Sequence, residues 1–328
     1  MKTTNQNNEA TAPANVRPSS VSKRAESAKV NIYDQITERI ISLLEAGTVP
    51  WRKPWNVQAG LPRNLVSKKP YRGINVWLLH SMHYESPYWL TFRQALELGG
   101  NVRKGEKACR VMFCKLREIE DEKTGETDKI PMLRFYYVFN VAQCEGLKNV
   151  PAPAETLVDS LIKPEAIVTA MSQRPDIKHG KALACYSPST DTVFMPDHAR
   201  FEKQEGYYAT LFHELIHSTG HPTRLHRPTL TESAGFGSNP YCKEELVAEM
   251  GAAFLCGHAG IGEMILENSA AYVQNWLEQL RNDKKLIVQA AAQAQRATDF
   301  ILGVKFEEAT AAEKQPATGI TVMMPDED

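Results

Sequence analysis

Apolar residues recur at helical spacing near the start of the patterned part of the chain. From Ile32 to Leu44 they lie three or four positions apart, and Gly47 ends the pattern, so this stretch predicts an amphipathic helix. Residues 109–116 partly alternate between apolar and polar, and residues 132–141 are rich in aromatic and β-branched side chains. These two stretches predict a β-hairpin with a charged loop. The front half therefore predicts a small α+β domain.

The back half shows mostly helical patterns. A short hairpin is predicted there as well, with arms at 182–186 and 192–195. Helices are predicted over about 155–173, 207–217, 244–256, 268–282 and 284–302. The whole chain thus predicts an α+β fold, in which a small N-terminal α+β domain precedes a mainly helical domain with a small antiparallel sheet.

Composition divides the chain into five parts. We predict a disordered leader over residues 1–28, which are rich in Asn, Ala, Ser, Pro and Thr and lack an apolar period. The first domain occupies residues 29–149, and the second occupies residues 157–304. A linker at 150–156 separates them, and the polar tail at 305–328 is predicted to be disordered.

Charge is distributed unevenly along the chain, although the formal net charge is only −1. Residues 1–150 hold 23 Lys and Arg against 15 Asp and Glu, whereas residues 151–328 hold 15 against 24. A basic front half followed by an acidic back half suggests two separate tasks. The first of them is contact with a polyanion.

The sequence lacks the features of membrane and secreted proteins. No apolar run approaches the roughly 20 residues that span a bilayer, and the polar start does not resemble a signal peptide. The six cysteines form no C-x-x-C pair. We therefore expect a cytoplasmic protein with reduced thiols and no membrane contact.

The strongest chemical signal is the H-E-x-x-H pattern formed by His213, Glu214 and His217. Two histidines four positions apart lie on the same face of a helix and can bind one Zn²⁺. Glu214 is then placed to polarise a water molecule as the catalytic base. So short a pattern also arises by chance in helices that bind nothing, so its surroundings have to decide.

A catalytic zinc usually has three protein ligands. Our candidate for the third is Glu245, because it lies on a second predicted helix whose small residues allow close packing, which completes a His₂Glu set. Glu249, one turn further on, is expected to orient a ligand histidine through its other ring nitrogen. His221 is the alternative ligand, but it follows the helix end, so we expect it beside the site or on the surface. His₂Glu sites also accept other divalent ions, such as Mn²⁺.

Longer stretches resemble a known protein family. In the back half, residues 207–221, 224–225 and 244–249 resemble the zincin-like metallopeptidase domain of polyvalent plasmid and phage proteins. In the front half, the resemblance is to the N-terminal domain of ArdC-like antirestriction proteins, and it is carried by Pro50-Trp51, Trp55, 71–75, 91–95, 105–106 and 138–144. Together the two resemblances cover residues 30–302 in the domain order of that family.

This resemblance implies a function. ArdC-like proteins are carried by conjugative plasmids, bind single-stranded DNA through their N-terminal domain, and help incoming DNA to escape the recipient's restriction enzymes. The zincin-like domain implies a protein substrate, for which the restriction machinery is one source. Many zincins add an extended substrate to an edge strand near the metal, so we expect residues 192–195 to form that edge.

The composition of the front half fits such a partner, because single-strand binders combine basic grooves with aromatic platforms on which bases stack. Trp77 and Trp89 are instead expected in the core. None of the candidates encodes base readout, so binding should be non-specific and salt-dependent. The candidate DNA-binding residues are Trp51, Arg52, Lys53, Trp55, Arg63, Lys68, Lys69, Tyr71, Arg72, Arg93, Lys104 and Lys107.

Three functions are compatible with these features. The first is a bifunctional antirestriction protein that binds single-stranded DNA and carries zinc peptidase chemistry. The second is a single-stranded-DNA-binding protein whose metal site is structural or inactive. The third is a toxin-like metallopeptidase delivered into another cell, which the lack of a secretion signal disfavours. Glu214→Gln separates the first two, because it removes the base and keeps the metal ligands.

Overall fold

The computed structural model describes Met1 and residues 31–52, 60–120, 127–151, 161–231, 239–262 and 270–304. Several sequence predictions therefore lie outside the described residues. They are the leader after Met1, the tail at 305–328, most of the linker at 150–156, and Lys53 and Trp55 among the DNA-binding candidates.

The front part contains three α-helices, one short 3₁₀-helix (Val141–Gln143) and six strands among the described residues. The first predicted helix is confirmed as α1, and the predicted hairpin is confirmed as the long strand pair β4 and β5. In chain order the elements are α1 (Ile32–Glu45), β1 (Arg63–Asn64), α2 (Ile74–His80), β2 (Tyr88–Leu90), α3 (Phe92–Glu97), β3 (Asn101–Val102), β4 (Cys109–Glu120), β5 (Thr127–Asn140) and β6 (Cys144–Glu145).

A four-stranded sheet, in the order β1-β2-β5-β4, organises this part. β4 and β5 are antiparallel, with Cys109 opposite Val138 and Arg110 opposite Tyr137. Because successive side chains of a strand point to opposite faces, Cys109 and Val138 face the core while Arg110 and Tyr137 face outward. Their burial agrees, since Cys109 and Val138 are buried and Tyr137 is 50% exposed.

The back part is mainly helical, as predicted. Its elements are α4 (Pro164–Ala170), β7 (Asp176–His179), β8 (Cys185–Ser187), β9 (Thr192–Met195), α5 (Gln204–Ser218), α6 (Pro228–Thr231), α7 (Asn239–Ala259), α8 (Ala270–Asn282) and α9 (Leu286–Ile301). With the small sheets, these helices confirm the α+β class.

The small sheet of the back part differs from the prediction in two respects: it is mixed and not antiparallel, and residues 192–195 do not form its edge. Its strand order is β7-β9-β8, so β9 lies in the middle and is not the edge expected for residues 192–195. β7 pairs with β9 in parallel, and the sequence analysis missed β7. Its four residues, Asp-Ile-Lys-His, hold a single β-branched side chain and give no alternating signal. A peptide could add only to β7 or β8 in this sheet.

One hydrophobic core includes residues from both parts of the chain. The ring of Trp51 meets that of Trp276 at 5.4 Å, and Trp77 stacks on Phe254 at 4.9 Å. In addition, Thr37 donates a hydrogen bond to the carbonyl oxygen of Lys284 at 2.7 Å. The division into domains at 150–156 stays a prediction, and α1 and α2 pack against the helices that follow it.

Two helices of the back part, α5 and α7, lie in the centre of the core. α5 and α7 are buried around most of their circumference, as helices in the centre of a core are. In the described part of the chain, no helix is both long and apolar enough to cross a membrane.

Candidate functional site

His213 and His217 lie on α5, which is built as a core helix. Leu211, Phe212 and Leu215 are at most 2% exposed, and their burial fixes the rotation of the helix. With 3.6 residues per turn, the two histidines share a face. Their imidazole rings meet edge to face, with centroids 4.7 Å apart.

α7 approaches α5 closely because small residues line the contact. Ala248 and Ala252 are fully buried, and a Cβ atom added to Gly251 would lie 2.6 Å from Cδ1 of Ile216. Glycine therefore permits a helix separation that any larger side chain would widen. Because the two helices pack closely, Glu245 on α7 lies beside the histidines of α5.

The three predicted ligand residues form one cluster. Nε2 of His213 and Nε2 of His217 are 3.1 Å apart, and each lies 3.5 Å from a carboxylate oxygen of Glu245. Within the described part of the chain, these three side chains are close enough together to hold a metal ion. Ligands of a tetrahedral zinc with bonds of about 2.0–2.1 Å lie about 3.3–3.4 Å apart. The donor set and its spacing thus fit a divalent metal.

The electrostatics of the cluster favour a cation at its centre. Burial by itself lowers the pKa of His217, but hydrogen bonds to Glu244 and Glu245 outweigh burial and raise it above the ordinary value. Burial likewise raises the pKa of Glu245, yet contacts with His213 and His217 lower it overall. A divalent ion competes with the proton for these nitrogen atoms, because only deprotonated ligands bind a metal.

Glu244, and not Glu249, is the carboxylate beside the second nitrogen of His217. Oε1 of Glu244 lies 3.2 Å from Nδ1 of His217. Glu249 is buried at 3% exposure, but it is one turn of α7 beyond Glu245. Nδ1 of His213 has no hydrogen-bond partner within the described part of the chain, so Glu249 does not orient that histidine either, and the prediction for Glu249 is corrected. Two consecutive residues of α7 therefore contact the two ring nitrogens of His217, Glu244 at Nδ1 and Glu245 at Nε2.

Two arginines follow α5 and bind its last carbonyl groups. Arg227 donates to the carbonyl oxygen of Ile216 at 2.8 Å, and Arg224 donates to that of Ser218 at 2.7 Å. Arg224 also pairs with Asp191 in the turn between β8 and β9. Cations suit a helix C-terminus, where carbonyl groups lack intrahelical partners. The sequence analysis missed this role, since the arginines lie seven and ten positions beyond the predicted helix end at His217.

The remaining candidates near the motif have distinct positions. Glu214 follows His213 on α5 and is 8% exposed. His221 lies in the loop after α5, where its Nδ1 contacts Oγ1 of Thr223 at 2.8 Å. It does not belong to the cluster of His213, His217 and Glu245. A role for His221 beside the metal is thus not favoured by its contacts.

Two of the aromatic DNA-binding candidates are buried. Trp51 is 0% exposed and packs in the core, and Tyr71 is 6% exposed. Neither ring is accessible for stacking on a base, so both predictions are corrected. The proline and basic neighbours of Trp51 had suggested a surface loop, but composition does not reveal which way a side chain points.

The described basic candidates fall into three groups: paired arginines, half-buried arginines and exposed lysines. Arg72 pairs with Asp299, and Arg93 pairs with Glu97 at 2.8 Å. Arg52 and Arg63 are half-buried. The exposed lysines of the predicted set are Lys68, Lys69, Lys104 and Lys107.

The sequence analysis missed an exposed aromatic surface on the outer face of the sheet. Phe135 and Tyr137 on β5 are 42% and 50% exposed. The guanidinium of Arg110 lies 5.0 Å from the centroid of Phe135 and 5.2 Å from that of Tyr137, and donates to the Tyr137 hydroxyl at 2.7 Å. We call these three residues the aromatic platform. The one sequence signal for this surface is that Phe135 and Tyr137 lie two positions apart on a strand, which places them on the same face of the sheet.

Comparison with known proteins gives two family matches. Residues 30–139 match the family described as the N-terminal domain of anti-restriction factor ArdC. Residues 164–293 match the family described as zincin-like metallopeptidase. The second match includes all three members of the metal-binding cluster.

The chain is also similar to whole proteins. It is 36% identical over 321 residues to "DNA primase TraC" of Escherichia coli, covering 90% of this chain but only 29% of that relative. It is 34% identical to "Uncharacterized protein y4eC" of Sinorhizobium fredii, covering 85% and 94%. A Mn(II)-bound crystal structure of the antirestriction ArdC protein from the R388 plasmid is 41% identical, with a TM-score of 0.68, and covers 87% of this chain and 100% of that one.

Proposed function

Since the chain belongs to the ArdC family of antirestriction proteins, we propose that it protects incoming plasmid DNA from restriction by the recipient cell. In this proposal a metal-dependent peptidase site lies in its C-terminal part and a surface for single-stranded DNA in its N-terminal part. The observation that carries the proposal is the cluster of His213, His217 and Glu245, because its donor atoms have metal-ligand spacing.

His213, His217 and Glu245 hold the metal, with zinc as the proposed native ion and Mn²⁺ as the alternative. A divalent ion held there supplies a Lewis acid that polarises a peptide carbonyl and lowers the pKa of water. Glu214 accepts a proton from the attacking water and returns it to the leaving amine as the C–N bond breaks. The proposed substrate is a protein, for which the restriction machinery is the expected source.

Replacing Glu214 by glutamine tests the peptidase proposal. The amide cannot accept a proton, whereas the metal ligands on either side of it stay in place. We expect unchanged metal content and a loss of antirestriction of at least about 100-fold, the size of a general-base contribution. The measurement compares plasmid transfer by conjugation into recipients with and without a restriction enzyme.

Glu205→Gln is the matched control, because Glu205 is an exposed glutamate in the first turn of the same helix. It should leave antirestriction unchanged. Full antirestriction by the Glu214→Gln variant would contradict the peptidase proposal. It would favour protection by DNA occupancy alone, with the metal in a structural role.

For the DNA partner we propose the aromatic platform as the binding surface. Exposed rings let bases stack, and the cation of Arg110 between them suits both the backbone phosphate and the base faces. Exposed lysines of the front part add positive charge. Because stacking and phosphate contacts do not distinguish bases, binding is expected to be non-specific.

Replacing Phe135 or Tyr137 by alanine tests this surface. Stacking of one base on one ring contributes about 1–3 kcal/mol, so we expect the affinity for single-stranded DNA to fall about 5- to 150-fold. Arg110→Ala should weaken binding and flatten its salt dependence. The measurement is fluorescence anisotropy of a labelled oligonucleotide at several salt concentrations.

The control for these variants is Phe92→Ala, because Phe92 is 49% exposed on α3 and lies outside the platform. It should bind DNA like the unchanged protein. An equal loss of affinity in Phe92→Ala, or no loss in the platform variants, would argue against the platform.

A further inference from the structure

A buried chain of contacts runs from His217 through Glu244 to Arg227. These residues are 8%, 4% and 5% exposed, so solvent is largely excluded from the whole chain. We propose that Arg227 and Glu244 act as a positioning pair, which fixes the ring of His217 so that only Nε2 faces the metal. This inference rests on the proposed metal site and adds two residues that act on it through His217.

The first step is the contact between Glu244 and His217. Oε1 of Glu244 lies 3.2 Å from Nδ1 of His217. An ionised carboxylate can only accept a hydrogen bond, so Nδ1 carries the proton and Nε2 is left as the electron-pair donor. A metal-binding histidine held in this way keeps one tautomer and one ring orientation.

The second step is the contact between Arg227 and the carboxylate of Glu244. Nε of Arg227 donates to Oε2 at 3.0 Å, and Nη2 donates to Oε1 at 2.5 Å. Thr229 donates to Oε2 at 2.6 Å. A two-point contact of this kind fixes the carboxylate in orientation as well as in position. The charge of Arg227 also balances a buried carboxylate that would otherwise be costly.

The third step is the anchoring of Arg227 on α5 itself. Its Nη1 donates to Oγ1 of Thr219 at 2.6 Å, and its Nη2 donates to the carbonyl oxygen of Ile216 at 2.8 Å. The contacts thus close a ring: α5 holds Arg227, Arg227 holds Glu244 of α7, and Glu244 holds His217 of α5. Glu244 is therefore positioned relative to the same helix that carries the ligand.

Gly220 explains how the guanidinium fits against the end of α5. A Cβ atom added there would lie 3.0 Å from Nη2 and 3.1 Å from Cζ of Arg227. It would also lie 2.9 Å from Leu230. The φ angle of Gly220 is not in the left-handed region, so the glycine serves to make space and not to permit a turn.

The test compares Arg227→Met and Glu244→Gln with Arg224→Met, each in the full-length chain. Arg224 is a suitable control, because it caps the same helix end through Ser218 and belongs to the same loop. Affinity for Zn²⁺ is measured by competition with a chromogenic chelator. The Nδ1–H proton of His217 is followed by NMR in zinc-loaded, ¹⁵N-histidine-labelled protein, because a role in folding alone would not move it.

We expect about 10- to 100-fold weaker zinc binding in Arg227→Met and Glu244→Gln, as for other residues behind a metal ligand. The His217 Nδ1–H resonance should shift or disappear in both. Arg224→Met should lower thermal stability and leave zinc affinity within about twofold.

Two results would overturn the inference. One is unchanged zinc affinity in Glu244→Gln, and the other is an equal loss in Arg224→Met and Arg227→Met. If the unchanged protein binds no metal at all, the proposed metal site fails, and the positioning pair fails with it. The behaviour of the unchanged protein thus distinguishes the two failures.

Discussion

Protein carrying His213→Ala or Glu245→Ala is expected to be purified without bound metal, whereas the unchanged protein carries about one divalent ion per chain. Each substitution removes one of three donors whose atoms lie 3.1–3.5 Å apart. Two remaining donors leave the ion mostly solvated, so we expect affinity to fall by at least about 100-fold. Elemental mass spectrometry on protein prepared without added metal measures the content.

The controls for this experiment come from the same helix and the loop after it. His226 is exposed and Glu205 is exposed in the first turn of α5, so His226→Ala and Glu205→Ala should keep the metal. Metal retained in Glu245→Ala would contradict our choice of the third ligand. No metal in the unchanged protein, even after zinc is supplied, would leave DNA binding as the remaining proposal.

The metal cluster was predictable because its information is local. His213 and His217 are neighbours on any helix, and the helix itself follows from the apolar residues around them. Glu245 required a second inference, namely that a helix with small residues packs closely on the first. The structure brings the three side chains together, and Gly251 shows the physical basis of that packing.

The positioning pair was not predictable by the same reasoning. The roles of Glu244 and Glu249 depend on the angle and offset at which α7 crosses α5, which no single-helix pattern encodes. Arg227 depends in addition on the path of the loop after α5. Its position after a helix end gave a hint of capping, but not of its contact with a carboxylate on another helix.

For the DNA-binding candidates, the sequence shows which residue types are present but not which of them are exposed. The excess of basic residues in the front half follows from the sequence alone, but the direction in which aromatic and basic side chains point depends on which surfaces the domain buries. Trp51 packs against Trp276, more than 200 positions later in the chain, so its burial is a long-range property. Phe135 and Tyr137 lie in the predicted strand over 132–141, but the sequence alone does not show that they face outward.

Replacing Gly251 by alanine is expected to destabilise the protein and weaken metal binding together. The added Cβ atom would lie 2.6 Å from Cδ1 and 2.8 Å from Cγ1 of Ile216, which is itself fully buried. Overpacking of a core costs about 1–3 kcal/mol, more than the roughly 0.5–1 kcal/mol that alanine gains over glycine within a helix. The helices must therefore move apart, and Glu245 moves with α7. The measurements are the free energy of unfolding in denaturant and zinc affinity.

Gly206→Ala is the matched control, because Gly206 lies on α5 and its added Cβ would find its nearest neighbour at 3.9 Å. That variant should be neutral or slightly more stable. Ile216→Val in the Gly251→Ala background removes Cδ1, the atom nearest the clash. If the clash causes the loss, the double variant will be less destabilised than the two single changes predict together. Strict additivity would show that the clash with Ile216 does not cause the loss of stability. Full zinc affinity in Gly251→Ala would show that the close approach of α5 and α7 does not position Glu245.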